Sequence, residues 1–267
     1  MKTREEAGER VLGNSEIERI ETMINSPQMR KMRQRLRSDA RAITPRNAAT
    51  IVVIDGKPGQ ERILMGKRNR NLKFMPGALV FPGGSVDRAD GSVLSADELN
   101  APTEEKLVRN LRGRPSKRMA RALGMAAVRE LGEETGILVG RDSHERIAHP
   151  DWADFSHSGL VPAISGLKLL SRAITPPGPP RRFDTWFFML RADEIAHTPE
   201  GGFKPSGELE ELQWIRPQDA INTDTREITR VMLVELMNRL KHDPWLDPEH
   251  SAPFYFSLHG KFHKKIL

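Results

Sequence analysis

Apolar residues recur along the chain with two spacings, and each spacing predicts a different kind of element. Short runs rich in β-branched or aromatic residues, bounded by turn-forming residues, predict buried strands. These runs lie at residues 49–54, 62–66, 78–81, 137–139, 160–164, 186–190 and 207–215. Apolar residues three or four positions apart predict helices, the longest of which begins after Ser116 as its N-cap. The predicted helices span residues 116–136, 217–220 and 225–240.

The segment before the first strand is polar and rich in positive charge. Residues 29–41 carry six arginines or lysines and one aspartate. We expect residues 1–43 to form a basic helical extension, which either covers the core or a homodimer interface, or else binds RNA, DNA or a membrane. No aromatic residue interleaves the basic run to stack on bases, so we favour the covering role over a nucleic-acid partner. At the other end, three prolines predict an irregular tail over residues 241–267.

Composition narrows the class of protein. The 267 residues include no cysteine, which excludes disulfides and thiolate metal sites and fits a reducing compartment, so we expect a cytoplasmic protein. No apolar run approaches the ~20 residues that span a bilayer, and we expect no membrane partner. The net charge of +6 suits a polyanionic partner, either a phosphorylated small molecule or nucleic acid.

Three glutamates crowd the end of the predicted helix 116–136. Glu133 and Glu134 lie three and four positions after Glu130, so all three share one face. They stand at the negative end of the helix dipole, where acidic side chains are least favourable. A cation would neutralise them, and ligands that are all oxygen suit Mg²⁺ or Mn²⁺ better than zinc. Taken alone, the cluster is equally compatible with a solvated acidic face.

The order Arg-Glu-Leu-Gly-Glu-Glu-Thr-Gly-Ile at residues 129–137, with Phe-Pro-Gly-Gly at residues 81–84, resembles the box of the Nudix hydrolases. The second half of that box matches at every defined position. In the first half, Asp90 stands where the family has glutamate. Residues 91 to 128, 38 in number, replace seven residues of the family, an insertion of 31. We expect a helical excursion over about residues 91–121, and the resemblance leaves open whether Asp90 reaches the site.

The resemblance implies the Nudix α/β/α sandwich, a mixed sheet between helices, over about residues 44–240. It implies hydrolysis of a diphosphate linkage with Mg²⁺ or Mn²⁺ as cofactor. Arg129 would orient an acid of the box, and the general base would be Glu130 or an acid of the group 208–211. A further metal ligand would come from the same group, with Glu208 behind the two main candidates. The residues implied for catalysis and metal binding are Arg129, Glu130, Glu133, Glu134, Glu210 and Glu211.

A second pattern resembles the Nudix subgroup that hydrolyses coenzyme A. Leu64, Arg68 and Gly77 fall in register with its motif, whereas Met65 and Gly66 depart from it. A further segment resembles the insert-bearing relatives: it holds an arginine and an aspartate before the strand at 186–190, which form either an ion pair or a substrate contact. The residues implied for substrate binding are Arg68, Lys73, Gly83, Gly84 and Arg182, and the aspartate is Asp184.

The expected partner is therefore a small-molecule diphosphate, with coenzyme A or an acyl-coenzyme A first. An ADP-sugar or a dinucleotide is the alternative substrate, because Phe74 or Trp186 would stack on any purine. A Nudix-fold binding or regulatory module without catalysis is the second alternative. Asp90 and the insertion favour such a module, and the complete set of clustered carboxylates opposes it.

Overall fold

The strands and helices are those of a computed structural model that describes residues 43–71, 76–177, 179, 181–258 and 261–267. In these residues the strands are β1 (Arg46–Asp55), β2 (Arg62–Arg68), β3 (Leu79–Val80), β4 (Gly83–Ser85), β5 (Leu138–Asp142), β6 (Leu160–Pro162), β7 (Lys168–Ile174), β8 (Phe183–Arg191), β9 (Ile195–His197), β10 (Leu209–Ile215), β11 (Pro253–Leu258) and β12 (Lys261–Ile266). The α-helices are α1 (Ala101–Asn110), α2 (Lys117–Thr135), α3 (Ala153–His157), α4 (Pro217–Ala220) and α5 (Glu227–His242). The predicted basic extension, except Ile43, lies outside the described residues, as do Lys73 and Phe74.

The described strands form one large mixed sheet and one small sheet. The large sheet has the order β10-β2-β1-β8-β7-β11-β12, with β3 paired to β2 and β4 paired to β1. β1 and β2 form the predicted antiparallel hairpin, whereas β1 runs parallel to β8. The small sheet has the order β6-β5-β9.

Alternate residues of β1 face two hydrophobic clusters, one on each side of the large sheet. Ile51 and Val53 belong to the cluster that contains α2, and Val52 and Ile54 belong to the cluster that contains α5. All four side chains are fully buried. Helices therefore cover both faces of a mixed sheet, which confirms the predicted α/β/α sandwich. In the described part of the chain, no helix combines the length and apolar character needed to cross a membrane.

The insertion forms a helical excursion, as the sequence predicted. Asn100 caps α1, because its side chain accepts a hydrogen bond of 3.0 Å from the Thr103 backbone N–H. Leu107 anchors this helix in the core with no exposed surface. Asp97 holds the loop before α1 in place. One of its carboxylate oxygens accepts hydrogen bonds from the backbone N–H groups of Ile164 at 2.6 Å and of Ser165 at 2.9 Å.

The helix α2 begins inside the insertion and runs without interruption into the glutamate cluster. Ser116 is its N-cap, as predicted, and accepts a hydrogen bond of 3.2 Å from the Met119 N–H. Gly136 ends the helix in the left-handed conformation, with φ of 76°, and donates to the Gly132 carbonyl at 2.7 Å. The insertion therefore leaves the acidic end of the helix intact.

The C-terminal segment is a hairpin, so the irregular tail predicted for residues 241–267 is wrong. β11 pairs with β12, and it also lies parallel to β7 at the edge of the large sheet. The prolines misled the prediction because Pro253 occupies the first position of β11, where proline is tolerated. The strand β7 escaped prediction because it carries two buried polar residues, Ser171 and Arg172.

Replacing Tyr255 with alanine tests whether this hairpin is part of the folded core. The ring is fully buried and stacks on Phe262 with centroids 5.6 Å apart. We therefore expect Tyr255→Ala to lower the free energy of unfolding, measured in urea, by about 3–5 kcal/mol. Trp245, which is 77% exposed in the same tail, provides the control, and Trp245→Ala should change this free energy by less than about 0.5 kcal/mol. Equally small effects of both substitutions would contradict the hairpin.

Candidate functional site

The end of α2 lies against the glycine turn that forms β4. Gly84 pairs with Ala49 of β1, and the Gly83 N–H donates a hydrogen bond of 3.0 Å to Glu134 Oε2. A Cβ atom on Gly84 would lie 2.5 Å from the carboxyl carbon of Glu130 and from both of its oxygens. Glycine at this position therefore lets the glutamates approach the backbone of the turn.

A buried arginine holds the acids of the predicted box together. Arg129 donates to both oxygens of Asp90, at 2.8 Å from Nε and 3.1 Å from Nη2. Its Nη1 lies 3.0 Å from Oε1 of Glu130 and 3.0 Å from Oε1 of Glu133. Nη2 also donates to the Ser85 carbonyl at 2.9 Å. Burial alone would lower the pKa of Arg129, but the surrounding carboxylates raise it overall, so the guanidinium stays charged.

The question left open for Asp90 is settled by this pair. Asp90 is fully buried beside Arg129, and it also accepts a hydrogen bond of 2.7 Å from the Asp87 N–H. The insertion therefore does not carry Asp90 away from the helix. Asp90 reaches Arg129 although its side chain is one methylene shorter than the glutamate that the Nudix box has at this position.

Glu134 is buried, and the Glu130 side chain beside it is 15% exposed. The pKa of Glu130 is raised to about 7; desolvation is the largest cause, repulsion from Glu133 and Glu208 adds to it, and Arg129 opposes the shift. Burial likewise raises the pKa of Glu134 to about 8, with added repulsion from Glu130 and Glu208, and the Gly83 N–H opposes this shift. Burial also raises the pKa of Glu133, whose side chain is 39% exposed.

The three acids near β10 differ in the charged and polar groups that they contact. Glu208, just before the strand, raises the pKa of both Glu130 and Glu134. Glu210 instead accepts a hydrogen bond of 3.0 Å from the Arg70 N–H, and Glu211 lies 3.6 Å from Lys67 Nζ. A register shift between Leu209 and Glu211 interrupts the alternation of the strand. Of these three acids, Glu208 is therefore the one whose charge acts on Glu130 and Glu134.

Among the substrate-binding candidates that the structure describes, Arg68 has a charged side chain that reaches the acids of α2 and Glu208. Its Nη2 lies 3.7 Å from Glu208 Oε2, and its charge lowers the pKa of Glu134. The backbone of the same residue closes the loop before β3, since its N–H donates to Ala78 and its carbonyl accepts from Gly77. Lys73, the other basic candidate of this loop, lies outside the described residues.

Arg182 lies at the start of the sheet and not among the glutamates. Its carbonyl accepts from the Arg46 N–H, three residues along β1 from Ala49, which faces Gly84. Its side chain donates to the backbone carbonyls of Thr175 at 3.0 Å and Ile43 at 2.7 Å. Through these contacts Arg182 stabilises the position of the segment just before β1.

The proposed ion pair of Arg182 with Asp184 is not the one that forms. Asp184 is buried and accepts from Arg172 at 2.7 Å and from Arg112 of the insertion at 2.6 Å. Arg112, two residues after the end of α1, and Arg172 of the adjacent strand β7 therefore form the ion pairs with Asp184. Sequence proximity did not reveal these two partners, which are 72 and 12 residues away.

Two residues that the sequence assigned no role lie close to the acids. Asp151 raises the pKa of Glu133, and His149 Nδ1 lies 3.7 Å from Asp151 Oδ2. Asp151 belongs to the 3-10 turn before α3 and His149 is the N-cap of that turn. Their spacing in the sequence carries no metal-ligand signal. Only the folded chain brings this turn beside α2.

The carboxylates of Glu130, Glu133 and Glu134 do not point toward one common position in this structure. In the described parts of the chain, no three histidine, aspartate or glutamate side chains are grouped closely enough to hold a metal ion. The reason is that Glu130 and Glu133 turn toward Arg129, while Glu134 turns toward the Gly83 N–H. The side chains would have to rotate toward a common ligand.

Comparison with known proteins adds to this geometry. No protein-family model matches the chain. Over 190 residues the chain is 30% identical to "Putative nudix hydrolase 7" of Caenorhabditis elegans, a match that covers 66% of this chain and 53% of that protein. The chain thus spans about half the length of this relative.

The structure is also similar to the crystal structure of a Nudix hydrolase from Alicyclobacillus acidocaldarius. The two chains are 24% identical, with a TM-score of 0.51, and the match covers 75% of this chain and 93% of the other. The chain therefore has the fold of that Nudix hydrolase.

Proposed function

We propose that this chain hydrolyses a diphosphate linkage in a nucleoside diphosphate derivative, with a divalent metal ion as cofactor. The observation that carries the proposal is the buried Glu134 beside the largely enclosed Glu130, because desolvation raises their pKa values to about 8 and about 7. Carboxylates held at such cost in stability are typical of functional sites. The sequence likeness to a relative named as a Nudix hydrolase supports the same activity.

The chemistry of the donor set fits Mg²⁺ or Mn²⁺. Glu130, Glu133, Glu134 and Glu208 offer only carboxylate oxygens, which hard ions prefer. The mutual repulsion of Glu130, Glu134 and Glu208 is the kind of charge that a cation relieves. When bound, such an ion would neutralise the diphosphate oxygens and polarise phosphorus for attack.

Residues of the chain must also take a proton from the attacking water. Glu208 suits this role because its side chain is 59% exposed and lies beside the buried acids, paired with Arg68 at 3.7 Å. Glu130 is the second candidate for the base. Arg129 is a positioning residue. Its guanidinium is paired with Asp90, Glu130 and Glu133, and it thereby fixes where these carboxylates lie.

Coenzyme A or an acyl-coenzyme A is the first substrate that we propose. Arg68 supports it, because a guanidinium beside the acids can bind a diphosphate or a 3′-phosphate. The turn at Gly83 and Gly84, which lies against Glu130 and Glu134, places its backbone beside the same acids. An ADP-sugar or a dinucleotide has the same diphosphate but lacks the pantetheine arm. A panel of substrates therefore distinguishes these compounds from coenzyme A.

The panel should contain coenzyme A, an acyl-coenzyme A, ADP-ribose, NADH and a dinucleoside polyphosphate, each with Mg²⁺ and with Mn²⁺. Chromatography of the products measures kcat and KM. Metal-dependent cleavage of the coenzyme A compounds supports the first substrate, and cleavage of the others alone replaces it. Properly folded protein that cleaves none of them would leave the Nudix-fold binding module as the better explanation.

Replacing the acids near β10 one at a time tests which of them serves the reaction. We expect Glu208→Gln to lower kcat by about 100-fold or more, because it removes a proton acceptor beside the buried glutamates. Glu211→Gln is the matched control and should leave kcat nearly unchanged, since that carboxylate faces Lys67. Measurements use the best substrate of the panel, and the reverse order of effects would contradict this assignment.

A methyl group on Gly84 tests the close approach of the turn to the helix. The added Cβ would meet the Glu130 carboxylate at 2.5 Å, so we expect Gly84→Ala to displace it and lower kcat by about 100-fold. Gly91→Ala is the control, because its nearest neighbours at 3.1 Å are side-chain atoms of Arg118. Full activity of the Gly84→Ala protein would show that this approach is not needed.

The raised pKa values predict how stability depends on pH. Glutamates ionise near 4.5 in the unfolded chain but near 7 and 8 here, so the metal-free protein loses stability as pH rises through this window. We expect Glu134→Gln to raise the Tm of the metal-free protein at pH 8.5 by roughly 2–4 °C, and to leave it nearly unchanged at pH 4.5. Calorimetry at both pH values measures this, and a lower Tm at pH 8.5 would contradict the burial of a charged Glu134.

A further inference from the structure

The loop between β9 and β10, residues 198–208, carries Glu208 at its end and is held against the rest of the chain at two places. At the first, the Lys204 N–H donates to the Thr135 carbonyl at 2.9 Å. A Cβ atom on Gly136 would lie 2.8 Å from Cβ of Lys204, so the glycine that ends α2 also lets the loop approach. The second place is the turn after β2, next to Glu208 itself.

Asn69, the residue directly after β2, holds the backbone on both sides of Glu208. Its Nδ2 donates to the Gly207 carbonyl at 3.0 Å, and its backbone N–H donates to the Glu208 carbonyl at 2.8 Å. These two carbonyls belong to the peptide groups that flank the Cα atom of Glu208. The Asn69 Oδ1 accepts from the Asn71 N–H at 2.9 Å, which orients the amide so that its NH2 group faces Gly207.

The Asn69 side chain matters because the surroundings restrain Gly207 weakly. Gly207 has a φ of 84°, and among the described residues no atom beyond its chain neighbours lies within 4 Å of the position that a Cβ atom would take. The Glu208 N–H donates to Ser206 Oγ at 3.3 Å, a contact within the loop that moves with it. β10 also has a register shift near its start. Asn69 therefore adds a restraint where packing is open and the strand pairing is irregular.

The turn after β2 is held by β10 in return. Glu210 Oε1 accepts from the Arg70 N–H at 3.0 Å, and Arg68 Nη2 lies 3.7 Å from Glu208 Oε2. Residues 68–70 and residues 207–210 thus hold each other through side chains and backbone. Both the backbone and the carboxylate of Glu208 take part in these contacts.

We propose that Asn69 is a positioning residue, which holds both peptide groups around Glu208 and so keeps that carboxylate beside the glutamates of α2. The inference rests on the proposed function, and within it on Glu208 as the group that takes the proton from water. Asn69 acts through Glu208 and not on the substrate. Its loss should therefore lower kcat with little change in KM, because a displacement of about 1 Å is enough to slow turnover.

A double-mutant cycle of Asn69 with Glu208 tests this role. We expect Asn69→Ala to lower kcat about tenfold or more on the best substrate of the panel, and to leave KM within about twofold. In the Glu208→Gln protein the same change should alter kcat by less than about twofold, because the group that Asn69 positions is already gone. A fall in kcat by the same factor in both backgrounds would show a merely structural role and overturn the proposal.

Asn71→Ala is the matched control. It removes an exposed side chain of the same type from the same turn, and it keeps the backbone N–H that donates to Asn69. We expect the kcat of this variant to equal that of the wild-type protein. A fall as large as that of Asn69→Ala would overturn the proposal.

Relaxation of ¹⁵N-labelled protein gives a readout that does not depend on turnover. We expect Asn69→Ala to lower the backbone order parameters of Gly207 and Glu208 and to leave those of Glu130 and Glu134 unchanged. Unchanged order parameters at Gly207 and Glu208 would overturn the proposal. Undiminished turnover by Asn69→Ala would overturn it as well and leave the proposed function standing. A folded wild-type protein that cleaves no substrate of the panel would instead contradict the proposed function, and this role with it.

Discussion

The arrangement of the acids depends on the buried ion pair between Arg129 and Asp90. Both side chains lie in the interior, and two hydrogen bonds join them. Removing one partner of such a pair leaves an uncompensated charge, which typically costs about 3–5 kcal/mol. The same guanidinium contacts Glu130, Glu133 and the Ser85 carbonyl. One residue therefore sets the position of the helix end relative to the glycine turn.

The insertion does not disrupt the Arg129–Asp90 pair, because contacts of Arg121 hold the start of the insertion close to Asp90. Arg121, at the start of α2, donates to the carbonyls of Asp90 at 3.3 Å and Val93 at 2.6 Å, and it pairs with Glu98 at 2.9 Å. These contacts close the loop that leaves Asp90 and fix the residues just after it. Thirty-one residues are thus added to the chain without separating Asp90 from Arg129. Length added between two residues costs little when both ends are held.

The sequence was most informative where the controlling interactions are local. The hairpin of β1 and β2, the cap at Ser116 and the shared face of the glutamates all follow from spacings within a few residues. It failed where distant strands decide the outcome. The tail hairpin pairs with β7, and β10 contains a register shift between Leu209 and Glu211 that no spacing reveals. Asp184 likewise pairs with arginines of other elements.

Proton release on binding of Mg²⁺ tests the central claim most directly, namely that Glu130 and Glu134 together form a cation site. Because their pKa values are about 7 and about 8, both are partly protonated near neutral pH, and a cation must displace these protons. Calorimetry in buffers of different ionisation enthalpy counts them. We expect roughly one to two protons released per ion at pH 7, and almost none near pH 10. Mg²⁺ binding without proton release at pH 7, or no binding at all, would contradict the claim.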